Sequence, residues 1–472
     1  MDEQILQPDR PTSPSRRKRT KIQIFKEVYL PVIIVGIAAL LVLIFLIGSI
    51  VRAVQKGQIL KEASIAASES LAAVQAAEAE QVKNLMDEAT ALANGYDYAS
   101  AISVLDSFTG DASAYPELTQ LRDEYMQTKE TMVLWNDPNQ VVNLSFQLLI
   151  ADPARAFADE TYGDSFKRNF VTTTEFSKII QQLYDNDYIL VRMEDFITTQ
   201  SADDGTTTYV PKDMYLPSGK KPLMLTQTNV NYNLYLVDSD GDMVADKGGL
   251  GFASKLVLDG NSISAEMVKA DGQTATGNYD LIPILDAFVA EHPDFAFRGA
   301  KATIALTGYN GLFGYRTNSE AKEALGEDVY NAACASAKEI ASKLESNGYT
   351  LACYTYNNTS YGMNSLTEMQ ADLNKWNGEV VPVLGGVDVL VYAQNSDITA
   401  ESGYSGDKFD LLNNTGFNYY LGFCEDGAPW VELGNNYVRQ GRILVSGSAL
   451  ANNPSWFADM FDAASVLDSA RN

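Results

Sequence analysis

Residues 29–51 read YLPVIIVGIAALLVLIFLIGSIV, a run of 23 residues without a single charge. At ~1.5 Å per helical residue, such a run crosses a hydrocarbon core of ~30 Å with some tilt, so it predicts a transmembrane helix. A cleaved signal peptide is the competing reading, but its apolar core would be shorter, at ~7–15 residues, and would end in a small-residue cleavage site. Seven basic residues precede the run (Arg10, Arg16, Arg17, Lys18, Arg19, Lys21 and Lys26), against Arg52, Lys56 and Lys61 just after it. The positive-inside rule then places residues 1–28 in the cytoplasm as a basic tail, and the bulk of the chain outside a plasma membrane. The RRKRTK cluster also has the form of a nuclear-localisation or nucleic-acid patch; beside a membrane run it reads as the orientation signal.

The chain of 472 residues exceeds the ~250–300 residues that one hydrophobic core usually serves, so two or more folded units are expected. Beyond the run, 28 basic residues face 57 acidic ones. That balance argues against nucleic acid as a partner, because such binding depends on Lys and Arg displacing counterions from phosphates. Cys334, Cys353 and Cys424 are far apart and odd in number, which gives neither a disulfide framework nor a zinc-ligand pair; a Cys353–Cys424 bridge depends on geometry. His292 is the chain's only histidine.

Residues 52–132 are rich in Ala, Glu, Gln and Leu and predict a helical stalk. Within it, ALANGYDYASAISVLDSF and YPELTQLRDEYMQ resemble one tetratricopeptide-like helix-turn-helix unit. A single unit cannot bury its own face, and a peptide-binding array would need about three. The stalk is therefore a spacer from the membrane or, through residues 58–132, a surface for an envelope protein partner.

From Val133 onward, short β-rich runs alternate with amphipathic helices, the pattern of a sheet or barrel covered by helices. Thr172 and Glu175 have capping-box spacing before a helix that leads to YILV. A second helix ends near Asn347-Gly348, ahead of YTLAC; a third starts at Ser365 and Glu368 and leads to VVPV and VDVLVY. With PLMLT, KATIALT, FNYYLGF and RILV, at least seven candidate strands predict an α/β barrel.

The order of these segments resembles the polysaccharide deacetylase family (NodB homology, carbohydrate esterase family 4). The resemblance is carried by VTTTEFSKIIQQLYDNDYILVRMEDF, LPSGKKPLMLTQTNVNY, RGAKATIALTGYNGLFGYR, AKEIASKLESNGYTLACYTYNN and VVPVLGGVDVLVYAQN. It runs from about Asn143 to the C-terminus, within a deacetylase-like domain at 133–472, and resembles a membrane-anchored form found in Gram-positive bacteria. It implies a distorted (β/α) barrel and removal of N- or O-acetyl groups from cell-wall glycans. An amide is a poor electrophile, so the family uses a divalent metal such as zinc, held by one Asp and two His, with a second Asp as general base.

Those residues are not found at the matching positions. The family's paired Asp residues fall on Thr228 and Asn229, and its two motif histidines fall on Tyr354 and Asn358. Two further family histidines align with Asn143 and Gln147, and the third motif is matched weakly by Tyr392-Ala393-Gln394-Asn395. Thr228 is no base near neutral pH, and an Asn carbonyl is a poor ligand for a zinc-like ion. His292, in AEHPDFAF, reads as structural, since a metal site needs several convergent ligands. The resemblance thus implies a pseudoenzyme without catalytic residues, metal or other cofactor.

Asn229, Tyr232, Tyr354, Tyr392 and Trp430 are the candidate glycan contacts; aromatics with a polar tip serve equally as rim packing. DSDGDMVAD (Asp238 to Asp246) spaces carboxylates like the start of a calcium loop, but Met243 stands where the turn glycine belongs and Gly249 where Glu closes the loop. A solvated turn fits better. The leading expectation is an inactive, surface-anchored protein that binds a cell-wall or surface polysaccharide. The alternatives are an active deacetylase recruiting Tyr354, Asp388 or Asp397, and a structural envelope protein working through its stalk.

Overall fold

A computed structural model describes residues 58–471, apart from 204, 205, 239, 240, 247 and 248, and only Ala39 of the chain before residue 58. The predicted basic tail and membrane helix lie outside the described residues. Among the described residues no helix is long and apolar enough to cross a membrane. The described chain forms two units, residues 58–91 with Tyr98–Met126, and Leu92–Asp97 with residues 127–471.

The first unit consists of helices. Helix α1 (Gln58–Asn94) runs 37 residues, α2 (Tyr98–Leu105) follows a tight turn, and α3 (Pro116–Glu130) returns. Val82, Leu85 and Ala89 fall three and four residues apart on α1 and are buried, as are Ala101, Val104 and Leu105 on α2 and Leu118 on α3. Arg122 pairs with Asp106, and the Tyr125 hydroxyl reaches Thr90 at 3.2 Å. The predicted helix-turn-helix is thus α2 and α3 packed on the end of α1.

The second unit is the expected distorted (β/α) barrel. Its elements are β1 (Val142–Phe146), α4 (Thr173–Asp185), β2 (Tyr188–Leu190), β3 (Lys221–Thr228), α5 (Leu281–Glu291) and β4 (Thr303–Leu306). There follow α6 (Glu327–Ser346), β5 (Thr350–Cys353), α7 (Leu366–Lys375), β6 (Val389–Val391), α8 (Asp407–Thr415), β7 (Tyr419–Phe423) and β8 (Val438–Leu444). Seven strands close in the order β1-β3-β4-β5-β6-β7-β8-β1, every pairing parallel. The distortion lies at β3. Its first half pairs with β2 (Tyr188 opposite Lys221), and β4 takes over the same edge from Thr226 onward.

Alternation along each strand sends one set of side chains into the barrel and the other toward the helices. Leu144, Leu223, Leu225, Ile304, Leu306, Leu351, Leu390 and Ile443 point outward and pack with Phe176, Ile179, Ile180 and Leu183 of α4, and with Ile340 and Leu344 of α6. Met224, Ala305, Ala352, Val389, Val391, Leu421 and Val438 fill the inside as a separate cluster. Both capping boxes form as the sequence predicts. Gly348, at φ +93°, reverses the chain after α6 where a Cβ would strike the Gly299 carbonyl. One expectation fails: VVPV is not a strand. Val381–Leu384 is a helical turn, because Pro382 has no N–H to give a ladder and sits instead at the turn's start.

Glu175 does more than cap α4. Fully buried, it accepts from the Thr172 N–H (2.8 Å) and the Asp468 N–H (2.9 Å), and it is paired with Arg471, whose Nη2 lies 2.6 Å away. Arg471 also donates to the Lys167 and Phe170 carbonyls. Removing the cation leaves a buried carboxylate without its counter-ion. Arg471→Met should therefore lower unfolding free energy by about 3 kcal/mol, read from urea denaturation, whereas a shift below about 0.5 kcal/mol would show that the pair is idle.

Candidate functional site

In barrels of parallel strands, the loops after the strands' C-terminal ends carry the working residues. The inside of this end is polar. Asn143 donates to Gln440 (3.0 Å) and accepts from Thr226 (2.9 Å), and Gln440 donates to the Val141 carbonyl (3.1 Å). Asn143 is therefore a fully buried structural residue. Above it, Arg442 on β8 points inward and is 3% exposed. Its Nε donates to the Gly422 carbonyl (2.9 Å), Nη1 to the Ser145 hydroxyl (2.8 Å) and Nη2 to the Tyr392 carbonyl (3.2 Å). No carboxylate pairs with it among the described residues. Burial pushes the guanidinium below its ordinary value, and Tyr354 lies within electrostatic reach of it. A guanidinium nevertheless stays cationic in a protein.

Thr228 ends β3 facing inward, and its hydroxyl donates to the Phe146 carbonyl (3.2 Å). Asn229 follows in the left-handed region (φ +63°), half-buried, with the Thr307 hydroxyl 3.5 Å from its Oδ1. Asn231 stitches this segment to the end of β4, accepting from the Thr307 N–H (2.9 Å) and donating to the Thr307 and Gly311 carbonyls. Tyr354, half-buried, follows β5, and its N–H donates to the Leu306 carbonyl (2.7 Å). Asn229 and Tyr354 thus flank the end of β4 from either side. Asn358 is half-buried further along the β5 loop, where its carbonyl accepts from Gln394 (2.8 Å).

Asp372 of α7 shapes that loop. Its carboxylate accepts from the Tyr356 N–H (2.7 Å), the Asn357 N–H (2.9 Å), the Asn357 side chain (2.8 Å) and the Tyr361 hydroxyl (2.8 Å). Gly308 leaves room for the Tyr356 ring, which a Cβ there would strike.

The other candidate contacts lie elsewhere. Tyr232 is buried, and its hydroxyl donates to Asp280 at 2.6 Å; Asp280 also accepts from Gln227 (2.7 Å) and from the Leu149 and Leu281 N–H groups. Burial, and then the Asp280 charge, raise the Tyr232 hydroxyl well above its ordinary value. Tyr392 is fully buried, with its hydroxyl 3.0 Å from that of Tyr404. Trp430 covers Gly441 and lies 5.4 Å from the Arg439 guanidinium. Arg439 faces away from the interior, because Val438, Gln440 and Arg442 alternate inward. Gln147 is half-buried and donates to the Asn169 carbonyl (3.3 Å).

The two carboxylates considered for an atypical enzyme are not at this end together. Asp397 is held by Arg439 (2.9 Å) and the Tyr404 hydroxyl (2.6 Å). Asp388 precedes β6, at the opposite end of the barrel from Tyr354. His292 packs between the rings of Tyr184 and Phe288, with centroids 4.5 and 4.6 Å away. The cysteines are free, and the Asp238 carboxylate accepts from the Gly241 and Met243 N–H groups of its own turn.

The donors at the strand ends are therefore two hydroxyls, two neutral amides and a guanidinium. This set does not fit a divalent metal, which wants carboxylates or imidazoles. Among the described residues no group of three or more His, Cys, Asp or Glu is placed to hold one. Sequence reasoning missed Arg442; its signal was the alternation Val438, Gln440, Arg442, which sends a cation inward.

No protein-family model matches the chain, and no curated protein matches it. Among solved structures it is similar to the Streptococcus pyogenes deacetylase PplD in complex with acetate, at 11% identity over 66% of this chain and 94% of that one, with a TM-score of 0.33. It is also similar to IcaB from Ammonifex degensii, at 12% identity over 67% of this chain and 96% of that one, with a TM-score of 0.29.

The Asp372 bonds yield a prediction for the site. Asp372→Asn turns an amide NH₂ toward donors, and should cost about 2 kcal/mol in urea unfolding and speed amide hydrogen exchange across residues 354–361. Unchanged exchange there would show that the loop is held by other contacts.

Proposed function

We propose that this chain is a membrane-anchored, deacetylase-like barrel protein that binds a cell-wall or surface glycan without hydrolysing its acetyl groups. Arg442 carries this reading. It is a buried, unpaired cation inside the end of the barrel where the resemblance would put a metal, and like charge there opposes a divalent ion. The neighbouring Thr228, Asn229, Tyr354 and Asn358 suit recognition better than catalysis. Hydroxyls and amides exchange hydrogen bonds with sugar hydroxyls, and the half-buried Tyr354 ring offers an apolar face. The order of the sequence motifs and the closed parallel barrel support the deacetylase-like assignment. Residues 29–51, with the basic residues before them, support the anchor and an extracellular barrel.

The test uses the full chain in detergent with N-acetylated chitin or peptidoglycan fragments and added zinc or cobalt. Acetate content should stay at background while the fragments bind, and Tyr354→Ala should weaken binding by about fivefold. Acetate release that a chelator abolishes would overturn the reading, as would fragments that do not bind at all.

A further inference from the structure

The opposite end of the barrel is underfilled. A cavity of about 230 Å³ opens at the N-terminal ends of the strands, with Met224, Val389 and Leu421 as its apolar walls. Its origin lies in the residue choice. At this end β4 and β5 send Thr303 and Thr350 inward, side chains too small to fill the space that larger residues occupy elsewhere.

The lining is not merely loose packing. Thr303 is 4% exposed, lines the cavity, and its hydroxyl has no hydrogen-bond partner among the described residues. A hydroxyl in the wall of the cavity can exchange hydrogen bonds with a ligand there. Thr350, opposite Thr303 in the strand register, adds a second hydroxyl. Two exposed carboxylates, Asp388 and Glu194, complete the lining beside the Tyr419 ring. Asp388 makes no ion pair among the described residues. Glu194 lies 3.4 Å from Arg192, which is also 3.6 Å from Asp195, and Lys212 donates to the Glu194 main-chain carbonyl. Burial first, then Tyr209, then the charges of Asp388 and Glu194 raise the Tyr419 hydroxyl, which stays neutral at ordinary pH.

We propose that this cavity binds a small organic ammonium ion, its cationic head at Asp388 and Glu194 against the Tyr419 ring and its short body against Met224, Val389 and Leu421. A hydroxyl or amine hydrogen on the ligand meets Thr303 and Thr350. The cavity falls below the ~300–1,000 Å³ of drug-sized sites, which limits the ligand to a few carbons. Carboxylate and aromatic together select a cation over its neutral isostere. The site is independent of the glycan reading, because it shares no residue with it.

The test titrates the full chain in detergent with propylammonium chloride and with 1-propanol at matched ionic strength, by calorimetry or by shifts of assigned threonine methyl signals. Propylammonium should bind saturably, and 1-propanol should bind at least about threefold more weakly. Asp388→Asn and the isosteric Thr303→Val should each weaken propylammonium by about threefold or more while leaving circular dichroism unchanged. Absence of saturable propylammonium binding would overturn the proposal, as would equal binding of 1-propanol or undiminished binding by Asp388→Asn.

Discussion

Closure of the parallel barrel through the long strand β3 is the constraint on which the other features rest. Seven strands enclose a bore narrow enough that side chains must fill it, and alternation leaves only every second residue to do so. β3 is eight residues long and offers one edge to two successive partners, β2 and then β4. That handover brings Thr228 level with Ala305 and Ala352, so the ends of β3, β4 and β5 lie side by side. Without it, Asn229 and Tyr354 would not flank the same strand end.

Filling the bore takes different forms at its two ends. Inside the barrel Asn143, Thr226 and Gln440 satisfy one another, and toward the C-terminal ends Arg442 spans from β8 to Ser145 and Tyr392. A guanidinium can do this because it is planar and carries five donors, so three neutral acceptors hold it without a carboxylate. An enclosed cation without a counter-ion shapes the electrostatics of everything nearby. Like charge opposes a metal ion there, and in the proposed glycan reading sugar hydroxyls and carbonyls meet the cation instead. Toward the N-terminal ends β4 and β5 contribute only Thr303 and Thr350 to the bore, and a cavity results.

Local signals in the sequence proved readable where the physics is local. The capping boxes at Thr172 and Ser365 require residues only three apart, and the left-handed cap at Gly348 requires one. Strand runs at PLMLT and KATIALT are apolar because both faces are covered, and they form the barrel as expected. VVPV misled because its apolar content suits a strand while its proline forbids one. Positions that depend on distant partners were not readable. Tyr232, Tyr392 and Trp430 read as loop aromatics, yet they meet Asp280, Tyr404 and Arg439, partners that no helical or turn spacing joins to them. Arg442 escaped notice for the same reason, since an arginine in a strand declares its face only when the register is known.

Asp388 shows most clearly what the third dimension adds. In sequence it stands in VDVLVY, four residues before Tyr392, and a loop there would put it beside Tyr354. In the fold it precedes β6 whereas Tyr354 follows β5, and at ~3.3 Å per residue the intervening strand separates the two ends by roughly 10 Å. A carboxylate that close in sequence to the candidate site cannot act there as a base. Its main-chain carbonyl is fixed by the Asn418 and Tyr419 N–H groups, which holds it at the other opening. Arg442 and Asp388, a cation and an anion that make no ion pair among the described residues, therefore lie at opposite ends of one bore. Ligands of different electrostatic kind are accordingly proposed for the two openings, carbonyl- and hydroxyl-rich groups for one and ammonium groups for the other.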